Sequence, residues 1–382
     1  MTRPLDAGVG ARLDAAVDRA LAEQRIVGGI VLVSEDGRLA YARAAGLADR
    51  AANRPMTQDT IFRMASLTKP IVTAAALALV EAGVVGLEDP ITRWLPDFKP
   101  ALAGDTPTIT VRHLLTHTAG LSYGFMQPDD GPYLKLGVSD GMDQPGLSFE
   151  TELARIVEAG LFFPPGAAWL YSVAMDVLGA ALEKAAGKPL PDIVAERVTG
   201  PLKMADTGYV VTDRARLAEA YADGTPPVEM GEACTVPFAE LSGIKFAPGR
   251  TFTPGSFPSG GAGMVGRADA FLIFLEAIRT GGGGVVGPQT AAQMMANQTG
   301  DIPIVTNGPG FGFGYGGAVL LDPAAAGSNH SPGVWLWGGV YGHSWFVDPA
   351  RKLSVVVMTN TAIEGMTGTF TQDVTAAIQG PH

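Results

Sequence analysis

The sequence predicts an α+β fold, in which one antiparallel sheet is built from both chain ends and flanked by helices, with a mainly helical domain inserted between its halves. Three observations predict it: a hairpin pattern near the beginning, three strand-like segments near the end, and helical periodicity at both termini and in the middle. Because an isolated two-stranded hairpin is only marginally stable, it needs partner strands, and the C-terminal segments can supply them.

The N-terminal part is predicted to be a helix followed by the hairpin. Over residues 7–23 the apolar residues recur at intervals of three and four, which is typical of an amphipathic helix. Residues 29–34 and 39–44 are apolar runs on either side of the turn Glu35-Asp36-Gly37, and such runs around a turn predict two paired strands.

The C-terminal part mirrors this arrangement. Residues 334–340, 343–347 and 353–359 are short strand-like segments, and a helical pattern follows over residues 367–378. We expect the two terminal helices to pack on one face of the shared sheet.

The middle of the chain is mainly helical, with patterns over residues 65–82, 111–117, 150–159 and 172–186. The chain is therefore expected to form a discontinuous sheet domain, residues 1–62 and 255–382, and a helical domain of residues 63–254 with long loops. A cleft at the junction of two such domains is the expected place for an active site.

The composition excludes several classes of function. The chain has 382 residues, of which 47% are hydrophobic and 17% charged, which excludes a disordered protein. Its net charge is −11 and its basic residues are scattered, so neither nucleic acid nor a membrane surface is an expected partner. No apolar stretch reaches the roughly 20 residues that span a bilayer. Early charged residues and a single cysteine, Cys234, predict a cytoplasmic protein.

Several motifs match catalytic patterns by letters only. Gly312-x-Gly314-x-x-Gly317 is followed by a strand-like segment where dinucleotide binding needs a helix, so we interpret it as a glycine-rich turn. The G-x-S-x-G matches around Ser122 and Ser139 lack the preceding strand and following helix of a nucleophile elbow, and both serines are interpreted as loop residues.

A histidine pair is a further candidate. His113 and His117 lie four residues apart on a predicted helix, a spacing at which two histidines can share a metal ion. No third ligand is spaced near them, so we interpret them as a structural pair at a helix C-terminus, with Gly120 ending the helix.

The strongest catalytic candidate is Ser66-x-x-Lys69. A lysine three residues after a serine lies about one helical turn away on the same face, so its amine can act as the base for the hydroxyl. Ser66 begins a long apolar pattern, and a helix N-terminus favours negative charge there. Ser242-x-x-Lys245 has the same letters, but Pro248 follows it and no helix does. By letters alone, Ser66 could equally cap a helix beside a solvated lysine.

Two further segments favour the catalytic interpretation. Tyr171 follows the turn Pro164-Pro165-Gly166 at the start of a helical pattern, and a phenol beside an ammonium group loses its proton more easily and can act as a base. The segment Trp337-Gly338-Gly339-Val340 lies on a predicted strand at the edge of the cleft. Its glycines let a ligand approach the backbone, whose free N–H groups can form an oxyanion hole.

In this order the motifs resemble those of the serine β-lactamase and penicillin-binding protein superfamily, most of all its class C branch and, within it, the family VIII carboxylesterases. The resemblance implies a serine β-lactamase-like fold and covers nearly the whole chain. It is carried by five blocks: FRMASLTKP around Ser66, HLLTHTAGL at 113–121, WLYSVAMDVLGA around Tyr171, PSGGAGM at 258–264 and WGGVYGHSWFVD at 337–348.

The resemblance also implies residue roles. Ser66 would be the nucleophile, with Lys69 and Tyr171 as the general-base pair. Which of the two is the primary base stays open, because groups this close titrate as a pair. The backbone N–H groups of Ser66 and Val340 would form the oxyanion hole, and no metal or organic cofactor is implied. The implied substrate-binding residues are Trp337, Gly338, Gly339, Val173, Tyr123 and His343.

Two departures from the β-lactamase pattern concern the substrate. Position 173 is Val where class C β-lactamases have the Asn of Y-x-N, and residues 337–339 are Trp-Gly-Gly in place of K-T-G. Both changes remove a polar group that would contact the substrate and put apolar surface in its place. We therefore expect a carboxylesterase whose partner is a short-chain, neutral, small-molecule ester. A β-lactamase, a D-aminopeptidase, an acyltransferase and a penicillin-binding protein without turnover are the alternatives, and the sequence indicates no oligomeric state.

Overall fold

One antiparallel sheet unites the two ends of the chain. The computed structural model describes residues 5–380, whose strands are β1 (Gly28–Glu35), β2 (Arg38–Asp49), β3 (Arg54–Pro55), β4 (Phe62–Arg63), β5 (Tyr221–Ala222), β6 (Val228–Glu229), β7 (Cys234–Val236), β8 (Ile244–Phe246), β9 (Val265–Gly266), β10 (Phe311–Phe313), β11 (Ala318–Leu320), β12 (Trp335–Gly339), β13 (His343–Asp348) and β14 (Leu353–Thr359). Eight of them form the main sheet, in the order β10-β11-β12-β13-β14-β1-β2-β3, and each neighbouring pair is antiparallel. The N-terminal hairpin joins the C-terminal strands through β1 and β14, as the sequence predicts.

Helices cover both faces of this sheet. In the described part of the chain they are α1 (Val9–Ala22), α2 (Thr68–Glu81), α3 (Val111–Leu115), α4 (Pro132–Leu136), α5 (Phe149–Ala159), α6 (Ala174–Ala186), α7 (Leu190–Val194), α8 (Ala268–Arg279), α9 (Pro288–Met294), α10 (Glu364–Thr367) and α11 (Thr369–Gln379). Within residues 5–380, none is long and apolar enough to cross a membrane.

The central strands send alternate side chains into two hydrophobic cores. Ile30 and Leu32 of β1 belong to the larger core, together with α8 and the helical middle of the chain. Val31 and Val33 belong to a second core with the terminal helices α1 and α11. Because both faces are buried, β1 is a continuous apolar run. The prediction that the terminal helices share one face of the sheet is confirmed.

Two element boundaries differ from the sequence prediction. The helix expected over residues 111–117 ends at Leu115, so Gly120 does not end it; His117 adopts a left-handed conformation with φ +55° and turns the chain away. The C-terminal helix expected over residues 367–378 is α11, which begins at Thr369 because Gly368 has an extended backbone, and the short helix α10 before it was not predicted. The α+β fold class is confirmed, and the division into two domains stays a prediction.

Candidate active site

Ser66 lies at the head of a buried helix. It is the middle residue of a single 3-10 turn, Ala65–Leu67, which leads directly into α2. Ala65 has φ +46°, a left-handed conformation that is unfavourable for a residue with a Cβ atom. Strain of this kind costs on the order of 1–3 kcal/mol and is concentrated at functional sites. Here the strained residue directly precedes the serine.

Lys69 lies one turn after Ser66, with its ammonium group fully buried. Its Nζ is 3.1 Å from Ser66 Oγ and donates a hydrogen bond to the carbonyl oxygen of Gly261 at 2.9 Å. Burial lowers the pKa of Lys69 to about 7, although the negative charges of Asp176 and Asp140 oppose the decrease. A large fraction of the amine is therefore neutral near pH 7, and a neutral amine can accept the proton of Ser66.

The Tyr171 hydroxyl completes the contacts of the nucleophile. It donates a hydrogen bond to Ser66 Oγ at 2.7 Å and accepts one from Trp337 Nε1 at 3.0 Å. Lys69 Nζ lies over the face of the Tyr171 ring, 4.6 Å from its centre.

The expectation that a neighbouring ammonium group would lower the phenol's pKa is wrong. Burial raises the pKa of Tyr171 above its ordinary value, and the hydrogen bonds with Ser66 and Trp337 only partly oppose this. Lys69 faces the ring rather than the phenol oxygen. Of the two groups, Lys69 therefore has the pKa that suits a base at neutral pH, whereas Tyr171 remains protonated and can donate.

Aromatic side chains hold Tyr171 in place. The ring centres of His117 and Trp337 lie 4.9 and 5.0 Å from that of Tyr171. Trp169 and Phe313 pack around the same group, with Phe313 5.4 Å from Trp337. We predicted Trp337 only as apolar wall, and its indole N–H is a donor that the sequence analysis missed. In the segment WLY, two aromatic residues flank Leu170, and this alternation could have indicated that Trp169 lies on the same side as Tyr171.

Strand β12 has an unpaired edge beside the 3-10 turn that carries Ser66. Its pairing with β11 includes only Trp335 and Leu336, so the residues that follow have no partner strand on that side. A Cβ atom at Gly339 would lie 2.7 Å from the carbonyl oxygen of Met64, closer than such atoms can approach. Glycine is required there because the strand runs directly against the turn that carries Ser66.

A cavity of about 300 Å³ opens at the nucleophile, and Ser66, Tyr171, Trp337, Gly338 and Val340 line it. Five further residues line the cavity that the sequence analysis did not identify, because they lie outside the α-helices and strands, where the sequence has no periodic signal: Phe125, Met126, Phe238, Thr306 and Asn307.

The other residues implied as substrate-binding lie behind the cavity wall. Gly339 packs against the nucleophile turn, and Val173 is fully buried at the start of α6. Tyr123 is stacked on Phe125, with ring centres 4.8 Å apart, and supports the wall from behind. His343 Nε2 lies 2.8 Å from the carbonyl oxygen of Arg63, so it braces the backbone before the nucleophile turn. The structure therefore places these four residues as supports around the cavity rather than on its surface.

The polar side chains of the motifs that we set aside have hydrogen-bond partners other than Ser66. Ser139 Oγ donates to Asp143, and Ser122 Oγ donates to a neighbouring carbonyl oxygen. His113 Nδ1 accepts from the N–H of Thr110, whereas the ring of His117 pairs with Ser172 Oγ at 3.1 Å.

The remaining motifs agree with their interpretation as non-catalytic. The glycine motif at 312–317 forms the β10–β11 hairpin, which confirms a turn. Lys245 is on strand β8 rather than on a helix with Ser242. Among residues 5–380, no group of three His, Cys, Asp or Glu side chains is placed to hold a metal ion.

The fold and this arrangement together define a class of protein, the acyl-transfer enzymes in which a lysine lies one helical turn after a serine and a tyrosine donates a hydrogen bond to the serine hydroxyl. The chain belongs to the Beta-lactamase family, whose sequence profile matches residues 13–378.

Comparison with individual proteins supports the same grouping. The chain is 50% identical to Esterase EstB of Burkholderia gladioli over 369 residues, which is 96% of this chain and 94% of that protein. The structure of EstCE1, described as a hydrolase with promiscuous acyltransferase activity, superposes with a TM-score of 0.92 at 44% identity and covers 98% of this chain and 99% of that chain. The simvastatin synthase LovD of Aspergillus terreus shares the fold, with a TM-score of 0.77, 24% identity and coverage of 98% of both chains.

Proposed function

We propose that the protein is a serine carboxylesterase that hydrolyses short-chain neutral esters through an acyl-enzyme on Ser66. The observation that carries this proposal is the position of the Ser66 hydroxyl, which lies within hydrogen-bond distance of both Lys69 Nζ and the Tyr171 hydroxyl. Its 50% identity to a named esterase over nearly the whole chain supports the choice of reaction.

Acylation follows from these contacts. Neutral Lys69 accepts the hydroxyl proton as Ser66 Oγ bonds to the ester carbonyl carbon, and the carbonyl oxygen becomes an oxyanion. The backbone N–H groups of Ser66 and Val340 would stabilise that charge. When the tetrahedral intermediate collapses, the bond to the alcohol oxygen breaks, and the departing oxygen takes the proton that Lys69 accepted while the Tyr171 hydroxyl donates a hydrogen bond to it.

Deacylation uses the same pair in reverse order. Water takes the place of the departed alcohol, gives a proton to the Lys69 and Tyr171 pair, and attacks the acyl carbon. The bond to Ser66 Oγ breaks, the serine recovers its proton, and the carboxylic acid is released.

The cavity lining favours neutral substrates. Within the described residues, no Lys, Arg, Asp or Glu side chain lines the cavity. His330 does, and burial lowers its pKa to about 4, so it is neutral at pH 7. A substrate carboxylate would lose its hydration here without gaining a cationic partner, at a cost of about 1–3 kcal/mol or more. Neutral esters avoid that cost, whereas penicillins do not.

Transfer of the acyl group to an alcohol is the second candidate. The structural relative EstCE1 is described as having promiscuous acyltransferase activity. Apolar walls favour an alcohol over water as the acceptor, and the acyl-enzyme is common to both reactions. The ratio of ester product to acid product, measured while the concentration of a short alcohol is increased, separates them.

The proposal is tested by a pre-steady-state assay with 4-nitrophenyl butyrate, together with labelling by an alkyl phosphonate. We expect a nitrophenol burst followed by turnover, and a phosphonate adduct on Ser66 by mass spectrometry. Ser66→Ala should abolish both, whereas Ser122→Ala, Ser139→Ala and Ser242→Ala should retain most activity. A burst without turnover would indicate a non-hydrolysing acyl acceptor, and an adduct on Ser139 would refute the assignment.

A further inference from the structure

The cavity at Ser66 continues onto the opposite face of the sheet. Side chains of a strand alternate between its faces, so Trp337 lies on the face of Tyr171, and its neighbours Leu336 and Gly338 lie on the other. Gly338 faces Met366 of α10, since a Cβ atom there would lie 2.6 Å from Met366 Cγ. All five residues line the same cavity, which therefore reaches both faces.

The unpaired edge of β12 is where the cavity passes from one face to the other. Strand β11 pairs with β12 at Trp335 and Leu336 and not beyond. At Gly338 the strand has no side chain, and the Met366 side chain of α10 packs directly against its backbone. A partner strand at Trp337 would close the passage.

Beyond this edge lies an apolar space between the sheet and the C-terminal helices, which we call the back chamber. Its walls are formed by alternate residues of three strands and by α10 and α11: Leu336, Phe346, Val357, Met366, Val374 and Thr375. Phe346, Val357 and Val374 belong to the core shared with α1 and α11, so the chamber is an incompletely filled part of that core.

We propose that the back chamber binds the acyl chain of the ester substrate. This inference rests on the proposed function. Once Ser66 attacks, the ester carbon carries an oxyanion, a leaving oxygen and the acyl chain. The oxyanion is directed to the Val340 N–H and the leaving oxygen to the Tyr171 hydroxyl, and neither group belongs to the walls of the back chamber. The acyl chain is the group left to follow the unpaired edge past Gly338.

The part of the cavity that opens to solvent near Ser66 is then left for the alcohol that departs and the water that enters. Thr306 lines the cavity outside the back chamber and is exposed to solvent, so the alcohol can depart there and water can enter while the acyl chain stays in the back chamber. The chamber would therefore set the preferred acyl length and leave the choice of alcohol unchanged.

The test compares two variants of α11 that introduce the same side chain. Thr375→Phe fills the back chamber, whereas Ala376→Phe adds the same ring at the exposed neighbouring position. The kcat/KM ratio of 4-nitrophenyl hexanoate to 4-nitrophenyl acetate is measured for each. Each buried methylene contributes roughly fourfold to binding. Loss of the space for two methylenes should therefore lower the ratio about fifteenfold in Thr375→Phe and leave it unchanged in Ala376→Phe.

A second variant changes the chamber in the opposite direction. Val374→Ala enlarges it and should raise the ratio of octanoate to hexanoate. Because each ratio is taken within one protein, a loss of folded protein cancels. Equal ratios in all variants would refute the inference, and so would a change in the ratio of hexyl acetate to ethyl acetate in Thr375→Phe. Wild-type protein that hydrolyses no ester and forms no Ser66 adduct would instead refute the proposed function.

Discussion

The pH dependence of ester hydrolysis tests whether neutral Lys69 is the base. With a pKa of about 7, the neutral fraction of Lys69 rises about tenfold from pH 5 to pH 6, about fivefold more to pH 7, and less than twofold from pH 7 to pH 8. The kcat/KM for 4-nitrophenyl butyrate should follow this curve and level off above pH 8.

A single substitution should move that curve. Burial lowers the pKa of Lys69 and the negative charge of Asp176 raises it, so Asp176→Asn should lower it further and shift the acid limb to lower pH. Asn keeps an oxygen to accept from the N–H of Gly261, which Asp176 Oδ1 does at 3.1 Å. The exposed Asp192→Asn is the matched control and should leave the profile unchanged.

Two results would refute this reasoning. If Tyr171 were the primary base, its raised pKa would make kcat/KM continue to rise through pH 9. If Asp176→Asn left the acid limb in place or moved it to higher pH, the group that titrates near pH 7 would not be Lys69. The assay requires only initial rates at fixed ionic strength, with folded protein confirmed by circular dichroism at each pH.

Three further predictions test the arrangement of the site. Lys69→Ala and Tyr171→Phe should each lower kcat by a factor on the order of 10² or more. The double variant should be little worse, because the effects of residues that act as a unit are not additive. If the two losses in kcat multiplied, the residues would not share a role. Gly339→Ala places a Cβ atom 2.7 Å from a backbone oxygen of the nucleophile turn and should lower kcat strongly, whereas Gly208→Ala meets nothing within 4 Å and should not. Trp337→Lys should raise the kcat/KM of nitrocefin relative to that of an aryl ester. If the wild-type protein had a kcat/KM for lactams equal to or above that for esters, our interpretation of the departures from the lactamase pattern would be wrong.

The sequence by itself determined what depends on local periodicity. A serine and a lysine three residues apart on a helix must share a face, and their side chains are indeed 3.1 Å apart. The apolar runs and the turn residues between them were sufficient to predict the strands at both ends of the chain. The marginal stability of a lone hairpin then required that β1 join them in one sheet.

Tertiary structure decided what depends on burial and on contacts between distant segments. The pKa of Lys69 near 7 results from complete burial, and the raised pKa of Tyr171 from the same cause, which reverses the shift expected from an ammonium neighbour alone. His343 and Tyr123 occur in motif-like segments, yet their contacts make them supports behind the wall.

The shape of the cavity is likewise a tertiary property. It depends on where β11 stops pairing with β12, on which loops cover the front, and on how far α11 stands from the sheet. Each of these three features is set by packing between segments that are far apart in the chain, so none can be predicted from a short stretch of sequence. The nucleophile could therefore be predicted from a few neighbouring residues, whereas the space that selects its substrate is determined only when the whole chain has folded.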